Sequence, residues 1–288
     1  MQILVAKNSH IEWTHHTFNP WWGCTRVSPA CDNCYADLWA RRMGRELWGA
    51  RAPRRFFGDA HWAEPIRWNA EAGTARIRER VFCASMADVF ERRADLHDQR
   101  HRLWELIEAT PNLDWLLLTK RPQNVARLAP WGDTWPANVW LGTSVENQRF
   151  AEIRLPLLLS IPARVRFLSC EPLLGALNLQ PWFRRRGFYP IDWIIAGGES
   201  GPRSRPMHPD WAAGLLRQCQ RFDVPFHFKQ WGHWVPAELM NDAPATLLTL
   251  TNERPVRMVR ATKRLAGRIL EGTTWDGVPP STPTRLHA

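Results

Sequence analysis

Three of the six cysteines in this 288-residue chain stand together, in Gly23-Cys24-Thr-Arg-Val-Ser-Pro-Ala-Cys31-Asp-Asn-Cys34-Tyr35. In a chain of this size, clustered cysteines read as metal ligands before disulfides. The spacing is C-x6-C-x2-C. Cys31 and Cys34 lie three apart where a helix is expected to begin, and so share a face. Asp32-Asn33 can cap that helix, and Gly49 lies past its expected end. Pro29 and Gly23 let the loop fold Cys24 back to the same point. A structural zinc closes on four protein ligands, and His15, His16 or a later histidine would have to supply the fourth. An iron–sulfur cluster held by three cysteines leaves one iron open. An open iron can bind the amino and carboxylate groups of S-adenosylmethionine, whose reductive cleavage yields a 5′-deoxyadenosyl radical. Tyr35 would shield such a cluster and pack near the adenine, or simply begin the core face of the helix.

Other residues able to do chemistry sit at the ends of short apolar runs. Asp88, Lys120, Arg121, Ser144, Glu146, Glu171, Glu199 and Lys229 each follow such a run. The runs begin near Val81, Trp115, Val139, Val165, Trp193 and Pro225, and none alternates strictly, so they read as strands buried on both faces. Helical stretches at 98–109, 148–160 and 210–222 lie between them, which implies βα units and a parallel sheet. With Ile11-Glu-Trp-Thr as a first strand, the expectation is a full or partial (β/α) barrel of parallel strands. An insertion at about 40–80 follows the first strand, and a C-terminal extension covers 235–288 beyond a barrel domain of 1–234. Polar residues at C-terminal strand ends face one rim, where sites of such folds are built. The scattered Cys83, Cys170 and Cys219 read as small buried hydrophobes, Cys170 least clearly because it ends a strand.

The formal net charge is +10, with 18 tryptophans. A basic balance favours polyanions such as nucleic acid, nucleotides or acidic lipid surfaces, though a GC-rich genome, which loads proteins with arginine, would give the same excess. Arg41, Arg42, Arg45, Arg51, Arg54 and Arg55 interleave with Trp39, Trp48, Phe56, Phe57, Trp62 and Trp68, a pattern suited to phosphates and stacked bases, or to aromatics packing the insertion onto the barrel. No apolar run is long enough to span a membrane and no signal peptide is seen, so a cytoplasmic protein is expected.

Asn19-Pro-Trp-Trp-Gly-Cys24 and Val27-Ser-Pro-Ala-Cys31-Asp-Asn-Cys34-Tyr-Ala36 resemble a phage-associated three-cysteine-motif family of uncharacterised function. The similarity continues through Leu118-Thr-Lys-Arg-Pro122, Gly142-Thr-Ser-Val-Glu-Asn147, Ser169-Cys-Glu-Pro172, Ala196-Gly-Gly-Glu-Ser-Gly201 and Phe228-Lys-Gln-Trp-Gly232, over roughly residues 11–234. That family resembles the radical S-adenosylmethionine enzymes and, more distantly, DNA photoproduct lyases. The resemblance implies a 4Fe-4S cluster on Cys24, Cys31 and Cys34, S-adenosylmethionine as cosubstrate, and an electron donor such as a flavodoxin or ferredoxin. It implies cofactor contacts from Ser144 and Glu146, from Gly197, Gly198 and Glu199, and from Lys120, with Tyr35 beside the cluster. Lys120, Arg121, Lys229, Arg203 or Arg205 would neutralise a carboxylate or phosphate. The chain departs from that superfamily's usual C-x3-C-x2-C spacing, and its Gly-Gly-Glu comes at about the sixth strand instead of the second. Modification or repair of a nucleotide or nucleic-acid base is the expected activity. The alternatives are a zinc-containing nucleic-acid-binding protein without catalysis and a metal-dependent nuclease using Asp88, Glu146, Glu171 or Glu199.

Overall fold

The computed structural model describes residues 6, 7, 9, 11–184, 186–240, 247–250 and 254–280. A short strand β1 (Ala6–Lys7) pairs antiparallel with β2 (His16–Thr17). From β2 the sheet runs parallel and in sequence order through β3 (Glu79–Cys83), β4 (Leu113–Thr119), β5 (Val139–Ser144), β6 (Val165–Cys170), β7 (Trp193–Gly197) and β8 (Phe226–Gln230). The helices are α1 (Tyr35–Arg42), α2 (Asp59–Ala75), α3 (His97–Ala109), α4 (Val125–Leu128), α5 (Gln148–Leu159), α6 (Pro209–Phe222) and α7 (Lys263–Ala266). Seven parallel strands curl into a partial (β/α) barrel. A second, three-stranded antiparallel sheet orders β10 (Leu247–Leu250), β11 (Val256–Arg260) and β9 (Trp234–Pro236). Among the described residues no helix is long and apolar enough to cross a membrane.

The two-residue period of a strand divides the apolar runs between two cores. Val81, Trp115, Leu117, Val139, Leu141, Leu168 and Ile194 pack outward against the helices. Phe82, Leu116, Trp140, Phe167, Trp193 and Ile195 point into the curl, where Trp13 joins them. This aromatic plug fills the lower part of the barrel, and a large cavity opens above it at the C-terminal strand ends. Local signals fix the helix starts. The Asn147 side chain caps α5 by accepting from the Phe150 amide, and His208 caps α6 ahead of Pro209.

The sheet edge at β8 is covered by the chain's later part. The Phe228 amide donates to the Trp275 carbonyl and the Gly277 amide to Phe226, so this segment runs antiparallel along the edge. Such cover removes an exposed row of backbone groups. Residues 241–246, 251–253 and 281–288 of the expected extension lie outside the described residues, as do 1–5.

Several local expectations need correction. Ile11–Thr14 forms a turn, with the Thr14 amide donating to the Ile11 carbonyl, and the first parallel strand is His16–Thr17. The helix after the cysteines stops at Arg42, because Gly44 at φ +68° turns the chain well before Gly49. Residues 40–80 are the β2-to-β3 crossover and contain the long helix α2, which the sequence reading missed because Pro65 lies inside it.

Candidate functional site

A cavity of about 650 Å³ opens above the aromatic plug. All three clustered cysteines line it, together with Tyr35, Lys120, Ser144, Gly198 and Glu199. Its size falls in the range of cofactor sites, which run roughly 300–1,000 Å³.

Cys24 is set by the loop that precedes it. Gly23, at φ +111°, could not carry a side chain, since a Cβ would fall 2.6 Å from the Leu47 carbonyl oxygen. Its amide donates to the Met86 carbonyl, and the Gly49 amide donates to the Cys24 carbonyl. The Arg121 Nη1 lies 3.6 Å from the Cys24 Sγ, while the same guanidinium holds Asp88 at 2.8 Å and the Thr25 carbonyl at 2.5 Å. Burial pushes the Cys24 thiol up to about 12, against the pull of Arg121. Cys31 closes a 3-10 turn (Pro29–Cys31), and Cys34 is the residue that caps α1, so the two do not share a face of one α-helix as expected. Burial raises the Cys34 thiol, opposed by the Asp37 and Ala36 amides and by Lys120. Helix-start amides and nearby cations favour the thiolate that a metal requires.

The donor set can be tested against the metals it suggests. A tetrahedral zinc, with Zn–S about 2.3 Å, draws its sulfurs to within roughly 4 Å of each other. Among the described residues no group of three His, Cys, Asp or Glu side chains is drawn together in that way. A cluster takes each cysteine on a different iron, and all three thiols line this cavity. His15 and His16 are engaged elsewhere. His15 Nδ1 accepts from the Arg80 amide, and His16 pairs with Glu79 and stacks on Trp68. Buried polar atoms without partners also face the cavity, among them Ser144 Oγ, Gln230 Oε1 and Trp22 Nε1. Such groups are costly unless something hydrogen-bonds them, so the residues present fit a bound cluster and polar cosubstrate.

Two expected cofactor residues do not reach the cavity. Glu146 is fully buried, held by Arg154 Nη1 at 2.7 Å, and its carbonyl accepts from the Leu174 amide. It turns inward because α5 brings Arg154 under the β5 end, where an unpaired cation would be costly. Gly197 ends β7 and packs against Glu171 and the Gln230 carbonyl without lining the cavity. Arg121 is likewise taken by Asp88, Thr25 and Cys24 and is not free to meet a carboxylate. Lys229 holds Glu171 at 2.8 Å. Glu199 accepts from Arg205 and Asn33. Burial alone would raise the Glu199 carboxyl, but these hydrogen bonds and the Arg205 charge hold it below its usual range. Lys120, whose backbone amide donates to Asp88, and Arg42 both line the cavity with side chains that form no ion pair among the described residues. Tyr35 donates its hydroxyl to the Ser85 carbonyl and leaves its ring open to the cavity, 53% exposed.

The insertion's aromatics mostly pack inward. Trp62 and Trp68 join the main core, and Trp39, Trp48 and Phe57 surround Trp22. Arg54, read as a surface cation, is buried against Glu91. Trp13, Ser169, Gln230 and His233 line the cavity without having been singled out. Strand alternation points to Ser169, two residues before Glu171 and on the same face, whereas Gln230 directly follows Lys229 and alternation assigns it to the opposite face.

Similar solved structures include spore photoproduct lyase complexed with dinucleoside spore photoproduct, 13% identical, covering 91% of this chain and 73% of that one at a TM-score of 0.45. A mutant of that lyase is 13% identical, with coverage of 92% and 73% and a TM-score of 0.46. Another mutant, with bound AdoMet and dinucleoside spore photoproduct, is 14% identical, with coverage of 86% and 68% and a TM-score of 0.41. Among curated proteins nothing matches. The family model described as "Protein of unknown function (DUF5131)" matches residues 8–279, and the chain belongs to that family.

Proposed function

We propose that this chain is a radical S-adenosylmethionine enzyme that holds a 4Fe-4S cluster on Cys24, Cys31 and Cys34 and modifies or repairs a nucleotide or a base in nucleic acid. The observation that carries the reading is three thiols on the wall of one cavity, at the mouth of a partial barrel whose lower half is plugged. When bound, the cluster supplies the electron for reductive cleavage of S-adenosylmethionine, the chemistry that generates a hydrogen-abstracting radical.

The chain's own residues supply the rest. The plug of Phe82, Leu116, Trp140, Phe167 and Trp193 keeps water from entering from below, which protects a reactive intermediate. Ser144 Oγ offers a hydrogen bond to a ribose hydroxyl. Lys120 neutralises a carboxylate or phosphate, and the open ring of Tyr35 suits adenine or a substrate base. Arg42 and Lys120 add charge that favours an anionic substrate at the mouth. The nuclease reading finds less support. Asp88, Glu146, Glu171 and Glu199 are each committed to a cation, on Arg121, Arg154, Lys229 and Arg205. No three of them gather into a metal-ligating group among the described residues.

Anaerobic purification and reconstitution test the proposal. About four iron atoms per chain are expected, with an electron paramagnetic resonance signal that changes when S-adenosylmethionine is added and 5′-deoxyadenosine released on reduction. Replacing any one of the three cysteines with Ala abolishes loading. Stoichiometric zinc with a histidine ligand, or magnesium-dependent DNA cleavage that needs no S-adenosylmethionine, defeats it.

A further inference from the structure

The two parts of the cysteine triad are held by different regions of the barrel. Cys24 is fixed from the β3 side, through the Gly23–Met86 hydrogen bond, the Cys24–Trp48 bridge and Arg121. The stretch carrying Cys31 and Cys34 is fixed from the far side, by the loop after β7. Arg205 Nη2 donates to the Pro29 carbonyl at 2.9 Å, and Nη1 lies 3.4 Å from the Asp32 carboxylate. Asn33 Nδ2 donates to the Arg203 carbonyl at 2.9 Å and to Glu199 Oε2 at 3.0 Å. Glu199 is the hub. Its Oε2 also accepts from the Arg205 amide at 2.8 Å and from Nε at 2.9 Å, and its Oε1 accepts from Nη2 at 2.5 Å.

The hub is itself placed rigidly. A Cβ on Gly198 would fall 1.9 Å from the Trp231 carbonyl oxygen, so only glycine lets the ends of β7 and β8 press together there. The His233 amide donates to the Glu199 carbonyl, and the Gly201 amide to His233 Nδ1. Four donated hydrogen bonds, three on Oε2 and one on Oε1, tie the carboxylate to Arg205 and Asn33.

We infer that Glu199, with Arg205 and Asn33, is a latch that sets the position of Cys31 and Cys34 relative to Cys24, so that Glu199 acts on the metal centre as a positioning residue and not as a cosubstrate ligand. The inference rests on the cluster reading above. It gives the Gly-Gly-Glu turn a structural task in seating a loop far away in sequence. Partners that orient metal ligands without touching the metal typically change metal affinity by roughly 10–100-fold.

The test uses full-length Glu199→Gln, Asn33→Ala and Arg205→Lys, with circular dichroism to show that each folds. In the apo chain, maleimide labelling of Cys31 and Cys34 should quicken in Glu199→Gln and Asn33→Ala while Cys24 keeps its wild-type rate. In the reconstituted chain, both variants should lose iron to a chelator about tenfold faster and show an altered resonance line shape. The double variant should be no worse than Glu199→Gln alone, because the two side chains share one latch. S-adenosylmethionine affinity of the loaded fraction, by calorimetry, should stay within about threefold of wild type, less than the loss of one charged hydrogen bond. Wild-type labelling and chelation rates with collapsed affinity would overturn the latch and make Glu199 a cosubstrate contact. A wild-type chain that loads no iron defeats the cluster reading instead, and the labelling rates still decide the latch. Should Glu199→Gln fail to fold, Asn33→Ala and Arg205→Lys decide by the same readouts.

Discussion

Ser144 and Glu146 stand two residues apart, yet the fold gives them opposite tasks. Glu146 lies beneath the rim with Arg154, both almost completely buried. Removing one partner of a buried pair strands the other charge and costs about 3–5 kcal/mol. Glu146→Ala should therefore lower the melting temperature markedly, while the folded fraction binds S-adenosylmethionine as wild type does. An unchanged melting temperature with lost affinity would place the carboxylate at the cosubstrate after all. Ser144 Oγ is buried beside the cavity with no hydrogen-bond partner among the described residues. An unsatisfied hydroxyl is a cost in the chain alone, so Ser144→Ala should hold or slightly raise the melting temperature. Losing a hydrogen bond of about 0.5–1.5 kcal/mol should weaken cosubstrate affinity by roughly three- to tenfold. Calorimetry and thermal melts on the same preparations read both signs, and a destabilised variant with intact affinity would show the hydroxyl to be structural.

The elements most legible in the sequence are those whose pattern repeats. The six runs from Val81 to Pro225 became β3 to β8, and the helical stretches at 98–109, 148–160 and 210–222 became α3, α5 and α6 within a residue or so at each end. The reason is physical: strands buried on both faces must be continuously apolar, and amphipathic helices must be periodic. What stayed hidden depends on tertiary pairing. Composition cannot tell that Arg54 turns inward to Glu91 while Arg51 stays exposed, or that Glu146 has Arg154 waiting eight residues on. The site was legible in part for the same reason: cysteine spacing is local, whereas the Asn33–Glu199 contact joins residues 166 positions apart. The segment between α1 and α2 follows from this. Arg54 donates to Glu91 through Nε and Nη2 and to the Leu47, Gly49 and Ala52 carbonyls through Nη1, so one guanidinium organises the whole stretch beside Cys24. Arg54→Ala should cost about 3–5 kcal/mol and open this stretch to hydrogen exchange before the barrel core. Wild-type protection of residues 47–55 in that variant would show that the aromatic packing alone holds them.

At the scale of the whole molecule, charge and closure decide behaviour. The net charge of +10 is spread widely, but Arg42 lines the cavity and Arg45 lies exposed beyond α1, neither with a carboxylate partner among the described residues. If nucleic acid binds at this mouth, affinity should fall log-linearly with salt, and Arg42→Ala with Arg45→Ala should flatten the slope by roughly 0.7–0.9 per lost phosphate contact. An unchanged slope moves any contact elsewhere. Closure is the subtler matter. His227 sits on β8 where the segment around Trp275–Gly277 covers the sheet edge, facing Arg268 at 3.3 Å and Asp276 at 3.7 Å, with Glu12 and Lys229 farther off. Burial, and then the Arg268 charge, hold its imidazole down at about 4, against an ordinary 6.5. The folded chain therefore keeps His227 neutral while the unfolded chain protonates it below about pH 6.5. Because the unfolded state binds the extra proton, stability is fully present above that value, declines as pH falls, and levels off near the folded value. The difference amounts to about 2–3 kcal/mol between about pH 7 and pH 4.5. His227→Asn cannot take up that proton, so its stability should fall less over the same interval by that amount, even though carboxylate pairs such as Arg205–Glu199 weaken in both proteins. Urea unfolding of the two proteins at a series of pH values measures the difference directly, and superimposable profiles would mean that the covering segment leaves His227 open to solvent protons.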